Sequence, residues 1–247
     1  MPDLDIVYFG DSAWCPYGVR PAEEIQQRVS SIADLLLERG CQALVIACNS
    51  ATIAAVEGLR ANYPVPIVGM EPGVRPAAAL TKSGVVGVFA TEASLRGEKF
   101  HRLLLEHAKS VKVITQPCPE FVRLVERGEL EGEGVERAVR DYMAPLLNGG
   151  ADVIVLGCTH YPFLAPVIRR IAGSEVEVID TGLAVARQLQ RVLEGRNDES
   201  LQGLEMQAKR GGALDILTSG DPGFYERFIT ALPDLSHGRV VASGQMG

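Results

Sequence analysis

The sequence predicts an α/β protein built on parallel sheets. Short apolar segments alternate with amphipathic helical patterns along most of the chain, and this alternation is typical of βαβ units. Hydrophobic residues make up 47% and charged residues 22% of the sequence, which are ordinary values for a folded globular protein. Because 247 residues exceed the usual size of one domain, we expect two domains.

The elements are predicted in order from these patterns. Strands are expected at residues 6–9, 43–47, 67–69, 85–90, 111–115, 153–156, 176–179 and 214–217. Helices are expected at about residues 22–39, 50–63, 74–80, 94–106, 120–127, 134–147, 163–171 and 183–193. Residues 194–212 are charged and weakly periodic, which predicts an exposed connection before the final strand.

Composition excludes several classes of partner. The net charge of −7 and the lack of a basic cluster argue against nucleic acid. No apolar segment reaches the roughly 20 residues that cross a bilayer, and the first residues do not resemble a signal peptide. We therefore expect a cytoplasmic protein with no membrane contact.

Five cysteines occur without a C-x-x-C pair or a histidine at zinc-ligand spacing. This spacing disfavours a metal site and a disulfide framework. Reduced cysteines are either small buried apolar groups or reactive thiols. We expect Cys15, Cys41 and Cys118 to be structural, because none of them follows a strand as the other two do.

Cys48 and Cys158 occur in matching contexts. Each follows an apolar strand that ends in a small residue, and each precedes polar residues and a helix. In open α/β sheets ligands bind beyond the carboxyl ends of the strands, where a helix N-terminus lowers the pKa of a thiol. The alternative is that each cysteine is a small residue fitted at a tight turn.

Two opposed thiols suit inversion of a stereocentre. One thiolate removes a proton, the intermediate becomes planar, and the other thiol returns a proton to the opposite face. Neighbouring donors would stabilise the charge that develops on the carboxylate. We expect no cofactor, because no lysine lies near a phosphate loop as pyridoxal phosphate chemistry requires.

Six motifs, in this order, resemble those of the glutamate racemases. They are YFGDSA with PYG at 8–18, ACNSAT at 47–52, EPG at 71–73, CPEFV at 118–122, GCTHYP at 157–162 and TSGD at 218–221. The resemblance covers nearly the whole chain. It implies two pseudo-symmetric, doubly wound domains with the site in the cleft between them, a homodimer, and a supply of D-glutamate for peptidoglycan.

The resemblance also assigns site residues. It implies that Cys48 and Cys158 are the catalytic thiols and that His160 and Glu126 assist the second thiol. Substrate contacts are carried over to these residues: Tyr17, Gly18, Asn49, Ser50, Thr91, Ser94, Thr159 and His160. Ser50 and Ser94 stand where the family more often has threonine. Each hydroxyl residue has an alternative role as a helix N-cap, and Glu126 as a solvated helix residue.

One family feature is missing from the sequence. The family opens with a strand, an Asp-Ser-Gly loop and a helix, and Met1 stands where the family enters the following strand. The natural protein is therefore expected to begin upstream of Met1, with a shortened and inactive relative as the alternative. We expect the first domain to contain residues 1–72 and 182–247, and the second domain residues 73–181.

Rival functions remain within and outside the enzyme class. Related enzymes act on aspartate, hydantoins or maleate, and the resemblance favours glutamate because a histidine follows Cys-Thr at 158–159. A non-catalytic amino-acid binder or regulator is the alternative that the missing loop supports.

Overall fold

The computed structural model describes residues 4–108, 110–195, 212–230 and 239–242. Nine strands lie in these segments, and all of the pairs between them are parallel: β1 Ile6–Gly10, β2 Leu44–Ile46, β3 Ile67–Gly69, β4 Val85–Ala90, β5 Lys112–Pro117, β6 Val153–Leu156, β7 Glu177–Ile179, β8 Leu214–Thr218 and β9 Arg239–Ala242. The predicted α/β class with parallel sheets is confirmed.

Ten α-helices connect or follow these strands in the described segments. They are α1 Ala22–Glu38, α2 Asn49–Asn62, α3 Val74–Leu80, α4 Glu92–Arg96, α5 Glu98–His107, α6 Pro119–Glu126, α7 Glu133–Asn148, α8 Ala165–Ala172, α9 Gly182–Glu194 and α10 Pro222–Thr230. Short 3₁₀ helices lie at Tyr17–Val19 and Tyr161–Leu164. None of the helices in the described segments is long and apolar enough to cross a bilayer.

The contacts divide the chain into two compact units. The first contains residues 1–16, 31–42 and 187–247, and the second contains residues 17–30 and 43–186. Residues 43–72 thus cluster with the second unit, whereas the sequence-based division placed them in the first domain. The physical reason lies in helix α2, which contacts α4 and shares hydrogen bonds with it.

The first unit contains a parallel sheet in the order β1-β8-β9. Strand β8 pairs in parallel with β1, in the register Ile6 to Leu214. This pairing is compatible with the predicted placement of residues 182–247 in the first domain, whose boundaries stay predictions. Strand β8 is not the final strand as expected, because α10 and β9 follow it.

The second unit contains a four-stranded sheet in the order β5-β4-β6-β7 and a separate pair, β2-β3. The four residues of β6 are all buried, as is typical of a central strand covered on both faces. Val86, Val88, Val153 and Val155 form part of the core with side chains from α3 and α5. The carboxyl ends of these parallel strands lie at one edge of the four-stranded sheet, where the Cys158 motif begins after β6. The Cys48 motif begins at the carboxyl end of β2, in the separate pair.

The amino ends of the strands of the four-stranded sheet are anchored by Asp152. Its carboxylate accepts hydrogen bonds from the Thr81 hydroxyl, from the Lys82 amide at 2.7 Å and from the Ser83 amide at 2.8 Å. Burial raises the pKa of the carboxyl, but these donors outweigh burial and lower the pKa from 3.8 to about 2. Asp152 therefore stabilises the turn before β4 in its ionised form.

Two boundaries differ from the expected ones near the site. The predicted helix at 94–106 is divided into α4 and α5, because Gly97 has extended backbone angles and ends α4. The predicted helix at 163–171 begins instead as a 3₁₀ turn and becomes α-helical at Ala165. Residues 196–211, which make up most of the predicted exposed connection, lie outside the described residues.

Candidate active site

Cys48 is the N-cap residue of helix α2 and is separated from the end of strand β2 by Ala47 alone. Its backbone is extended, and its sulfur accepts a hydrogen bond from the Ala51 amide at 3.5 Å. A helix leaves its first amide groups without partners, so a side chain at this position is held by them. The thiol is therefore directed by the backbone of α2 rather than by another side chain.

Burial raises the pKa of the Cys48 thiol from 9.0 to about 11. The Ala51 amide lowers this pKa, a charge on Cys158 raises it, and a charge on His160 lowers it. The expectation that the helix N-terminus sets a low pKa is wrong for this thiol, because desolvation outweighs the two backbone hydrogen bonds. In the free protein Cys48 carries its proton near neutral pH.

Cys158 lies in the loop after β6 and is 8% exposed. Its sulfur is 3.7 Å from Nδ1 of His160, and Nε2 of the same ring is 2.6 Å from a carboxylate oxygen of Glu126. A carboxylate at one ring nitrogen orients the imidazole and leaves the other nitrogen facing the thiol. The structure thus brings together three residues that the resemblance placed around the second thiol.

Tyr161 fixes the loop that carries this thiol. Its side chain is fully buried, and its hydroxyl contacts the Ala90 and Cys118 carbonyl oxygens at 3.1 Å each. Its ring lies edge-on against Phe121 of α6, the same helix that carries Glu126. The carboxylate, the imidazole and the thiol are therefore held by one packed cluster.

Three hydroxyl groups form a cluster between α2 and α4. Ser50 Oγ lies 3.0 Å from Thr91 Oγ1 and 3.3 Å from Ser94 Oγ, and the Thr91 and Ser94 hydroxyls are 3.0 Å apart. Thr91 is also the N-cap of α4, because its hydroxyl accepts from the Ser94 amide at 3.2 Å. The N-cap alternative is thus correct for Thr91, and the same oxygen also joins the cluster.

The 3₁₀ turn at Tyr17–Val19 packs against the hydroxyl cluster through Gly18. A side-chain carbon built on Gly18 would lie 2.6 Å from Cβ of Thr91, so only glycine allows this approach. Tyr17 begins the same turn. Of the two residues of this turn predicted to contact the substrate, Gly18 therefore lies beside Thr91, and Tyr17 is its neighbour in the chain.

A cavity of about 240 Å³ opens at the carboxyl edge of the strands in the second unit. Three residues predicted from the sequence line it: Asn49, Cys158 and Thr159. Asn49 is 2% exposed, and neither its side-chain nitrogen nor its oxygen has a hydrogen-bond partner among the described residues. A buried amide without partners is costly, and polar groups of a ligand in the cavity would lower that cost.

Sequence reasoning missed the other wall of this cavity. Met70, Asp180, Thr181, Gly182 and Val185 line it. The signal was present, because a polar Asp-Thr-Gly segment at 180–182 directly follows β7, as each cysteine motif follows its strand. The Asp180 carboxylate accepts from the Gly182 amide at 2.9 Å, which fixes the start of α9.

Both predicted catalytic cysteines belong to the second compact unit, whereas the sequence placed them on different domains. Of the three cysteines expected to be structural, Cys118 is fully buried and its thiol donates to the Gln116 carbonyl at 3.3 Å. Cys15 and Cys41 are partly buried. The roles of the site residues and the opposed placement of the two thiols stay predictions.

The sequence and the fold are both similar to those of known racemases. A family described as Asp/Glu/Hydantoin racemase matches residues 1–189. A glutamate racemase from Herpetosiphon aurantiacus is 48% identical over 92% of this chain and 87% of its own length. One from Pseudomonas putida is 46% identical over 94% of this chain and 85% of its own length.

A solved structure supports the same assignment. The Escherichia coli glutamate racemase, in complex with L-glutamate and the activator UDP-MurNAc-ala, superposes with a TM-score of 0.86 at 27% identity. The match covers 100% of this chain and 91% of that chain. These similarities confirm the resemblance inferred from the motifs, and the chain belongs to the Asp/Glu/hydantoin racemase family.

Proposed function

We propose that this protein interconverts L- and D-glutamate without a cofactor, with Cys48 and Cys158 as the two proton carriers. The observation that carries the proposal is the chain of contacts from Glu126 to His160 to Cys158, which ends at a cavity also lined by Asn49. A thiol, an oriented imidazole and an unpartnered amide at one cavity suit removal of a proton next to a carboxylate.

In the proposed reaction the two thiols have opposite roles. Cys158, beside its imidazole, accepts the α-proton of one enantiomer, and protonated Cys48 gives a proton to the other face of the planar intermediate. The reverse direction exchanges the roles. The positive charge of the substrate ammonium group favours the thiolate form of a nearby cysteine and offsets the effect of burial on Cys48.

Recognition of the carboxylate is assigned to the neutral donors near each thiol. Asn49 can donate from its amide nitrogen, and the hydroxyl groups of Ser50, Thr91, Ser94 and Thr159 can donate as well. Gly18 and Tyr17 contribute the backbone of the adjacent turn. Fixed dipoles of this kind stabilise the charge that moves onto the carboxylate as the α-carbon becomes planar.

Glutamate is proposed as the substrate because of the relatives. The two racemases described above are named for glutamate, and the Escherichia coli structure contains L-glutamate. The histidine at position 160 also fits the glutamate branch of the family. The supply of D-glutamate for peptidoglycan, a cytoplasmic location and a homodimeric state are proposed from the family resemblance.

The test is the exchange of the α-proton. In D₂O, we expect the protein to incorporate deuterium into both L- and D-glutamate, with the change in chirality followed by circular dichroism. Cys48→Ser and Cys158→Ser should each reduce racemisation by on the order of 100-fold or more. Cys41→Ser, at a partly buried thiol that has no assigned role, is the matched control and should retain activity.

The outcomes separate the alternatives. Glutamate binding without exchange would indicate the non-catalytic binder. Faster exchange of aspartate than of glutamate would assign a different substrate. Full activity of either cysteine variant would contradict the two-thiol mechanism. The homodimer is tested separately by sedimentation at several protein concentrations.

A further inference from the structure

Thr52 lies in the first turn of α2 and is fully buried. A threonine in a helix ordinarily bonds the carbonyl four residues earlier through its hydroxyl. Here the Cys48 carbonyl accepts from the Thr52 backbone amide at 2.8 Å, as in any α-helix, and the Thr52 hydroxyl contacts groups outside the helix.

The Thr52 hydroxyl joins the ends of two strands. It donates to the Ile46 carbonyl at 3.2 Å and accepts from the Met70 amide at 3.0 Å. Ile46 is the last residue of β2, and Met70 directly follows the last residue of β3. One oxygen thus satisfies two buried backbone groups at the carboxyl edge of this strand pair.

These two backbone groups border the candidate site. Only Ala47 and Cys48 separate Ile46 from Asn49, and the Met70 side chain lines the cavity together with Ala47 and Asn49. A hydroxyl that holds both ends therefore determines where the Cys48 thiol and the Asn49 amide lie relative to the Met70 wall. A displacement of about 1 Å at a reacting group costs on the order of 100-fold in rate.

Gly69 shows that the position of Thr52 is tightly constrained. A side-chain carbon built on Gly69 would lie 2.5 Å from the Thr52 methyl group and 3.3 Å from its hydroxyl oxygen. The absence of a side chain at residue 69 therefore permits the threonine to approach β3. Thr52 is held from one side by its hydrogen bonds and from the other by contact with this glycine.

We propose that Thr52 is a positioning residue of the racemase site, whose hydroxyl locks the Cys48–Asn49 segment to the residue after β3. It touches neither substrate nor reacting atoms. This inference rests on the proposed function for its kinetic consequences, but not for its effect on the Cys48 thiol, which is measurable without turnover.

The central comparison is between Thr52→Val and Thr52→Ser. Valine keeps the shape and loses the hydroxyl, whereas serine keeps the hydroxyl and loses the methyl group. In Thr52→Val we expect the Cys48 thiol to react with iodoacetamide about tenfold faster, the equivalent of one pKa unit, because the loosened segment admits solvent. Cys158 should react at an unchanged rate, and Thr52→Ser should behave like the unsubstituted protein at both thiols.

Thr81→Val is the control for a general loss of stability. Thr81 also uses its hydroxyl in a long-range hydrogen bond, to Asp152, but at the amino ends of the strands of the four-stranded sheet in the same unit. We expect a lower melting temperature in this variant without a change in Cys48 reactivity. Equal effects of Thr81→Val and Thr52→Val on Cys48 would overturn the proposal, as would equal behaviour of Thr52→Val and Thr52→Ser.

A second pair of variants guards against a Thr52→Val protein that fails to fold. Gly69→Ala should place a methyl group against the Thr52 methyl and raise Cys48 reactivity in the same way. Adding Thr52→Ser removes the clashing methyl and should restore reactivity to within about threefold of the unsubstituted protein. Gly69→Ala with unchanged reactivity would contradict the proposal, and so would a double variant that is not rescued.

Kinetic measurements then test whether the Thr52 hydroxyl contributes to the proposed reaction. If racemisation is established, Thr52→Val should lower kcat by about 10- to 100-fold. If the protein binds glutamate but does not turn it over, the proposed function fails. The difference in Cys48 reactivity between Thr52→Val and Thr52→Ser still decides the role of Thr52. Normal kcat in a folded Thr52→Val protein would refute its part in catalysis.

Discussion

Replacement of Asn49 by leucine is expected to stabilise the free protein and abolish its response to glutamate. Asn49 buries an amide nitrogen and a carbonyl oxygen without partners among the described residues. A buried polar atom without a partner costs about 1–3 kcal/mol, and replacement by an apolar group of similar shape removes that cost. Leucine has nearly the same shape as asparagine.

The magnitude follows from the two unpartnered atoms. Their combined cost is about 2–6 kcal/mol, and water that enters the adjoining cavity offsets part of it, so we expect a net gain of about 1–3 kcal/mol. For a chain of this size that gain raises the melting temperature by about 3–10 °C. The same substitution should weaken glutamate binding, because the leucine side chain cannot form hydrogen bonds with the ligand.

The assay is thermal unfolding with and without glutamate. A ligand at 100 times its Kd stabilises the native state by about 2.7 kcal/mol, which should be visible in the unsubstituted protein and absent in Asn49→Leu. Asn62→Leu is the matched control on the same helix, because the Asn62 amide is exposed and donates to the Gly58 carbonyl at 2.7 Å. This control should change stability by less than about 0.5 kcal/mol and keep the glutamate response.

Two results would refute this reasoning. A melting temperature of Asn49→Leu below that of the unsubstituted protein would show that the amide is satisfied in the free state. A full glutamate-induced shift in the variant would show that Asn49 does not bind the ligand.

Three further predictions concern the thiols, their assisting carboxylate and the amino ends of the strands of the four-stranded sheet. Cys48→Ser should keep elimination from one enantiomer of β-chloroglutamate and Cys158→Ser from the other, because elimination needs only a base; equal loss of both reactions in each variant would contradict separate roles. Glu126→Gln should slow only the elimination that depends on Cys158, by about 10- to 100-fold, since it weakens the 2.6 Å contact with the imidazole; equal slowing of both enantiomers would be inconsistent with this contact. Asp152→Asn should lower stability by about 1–2 kcal/mol at pH 7, after allowance for solvent screening. Because folding lowers the pKa of Asp152 from 3.8 to about 2, the contribution is present above about pH 4 and is lost as the pH falls toward 2. Denaturation at pH 7 and pH 2.5 tests this, and a difference between the two proteins that is the same at both values would disprove it.

Much of the fold could be predicted from local patterns. The predicted bounds of β3, α3, β4 and β6 agree with the structure, because continuous apolar segments between turn residues leave little choice. The break between α4 and α5 could not be predicted, because its cause is tertiary. A side-chain carbon on Gly97 would lie 2.6 Å from a methyl group of Ile53 in α2, and no local pattern reports that contact.

The partners of the second thiol, Cys158, could be named from the motifs. The protonation state of the first thiol, Cys48, could not be predicted from them. A matching strand-to-helix context predicts similar thiols, yet the balance at Cys48 depends on how much solvent the surrounding residues exclude. Two backbone hydrogen bonds favour the thiolate and lower the pKa of Cys48. Desolvation disfavours the charged form more strongly, so the pKa is raised. The same exclusion of solvent leaves the Asn49 amide without partners. In the free protein the buried thiol stays protonated and the Asn49 amide is unsatisfied. A ligand ammonium group would favour the thiolate, and a ligand carboxylate would accept a hydrogen bond from the amide. Both properties, the protonation of Cys48 and the unpartnered amide of Asn49, depend on packing, so the spacing of residues along the sequence could not predict them.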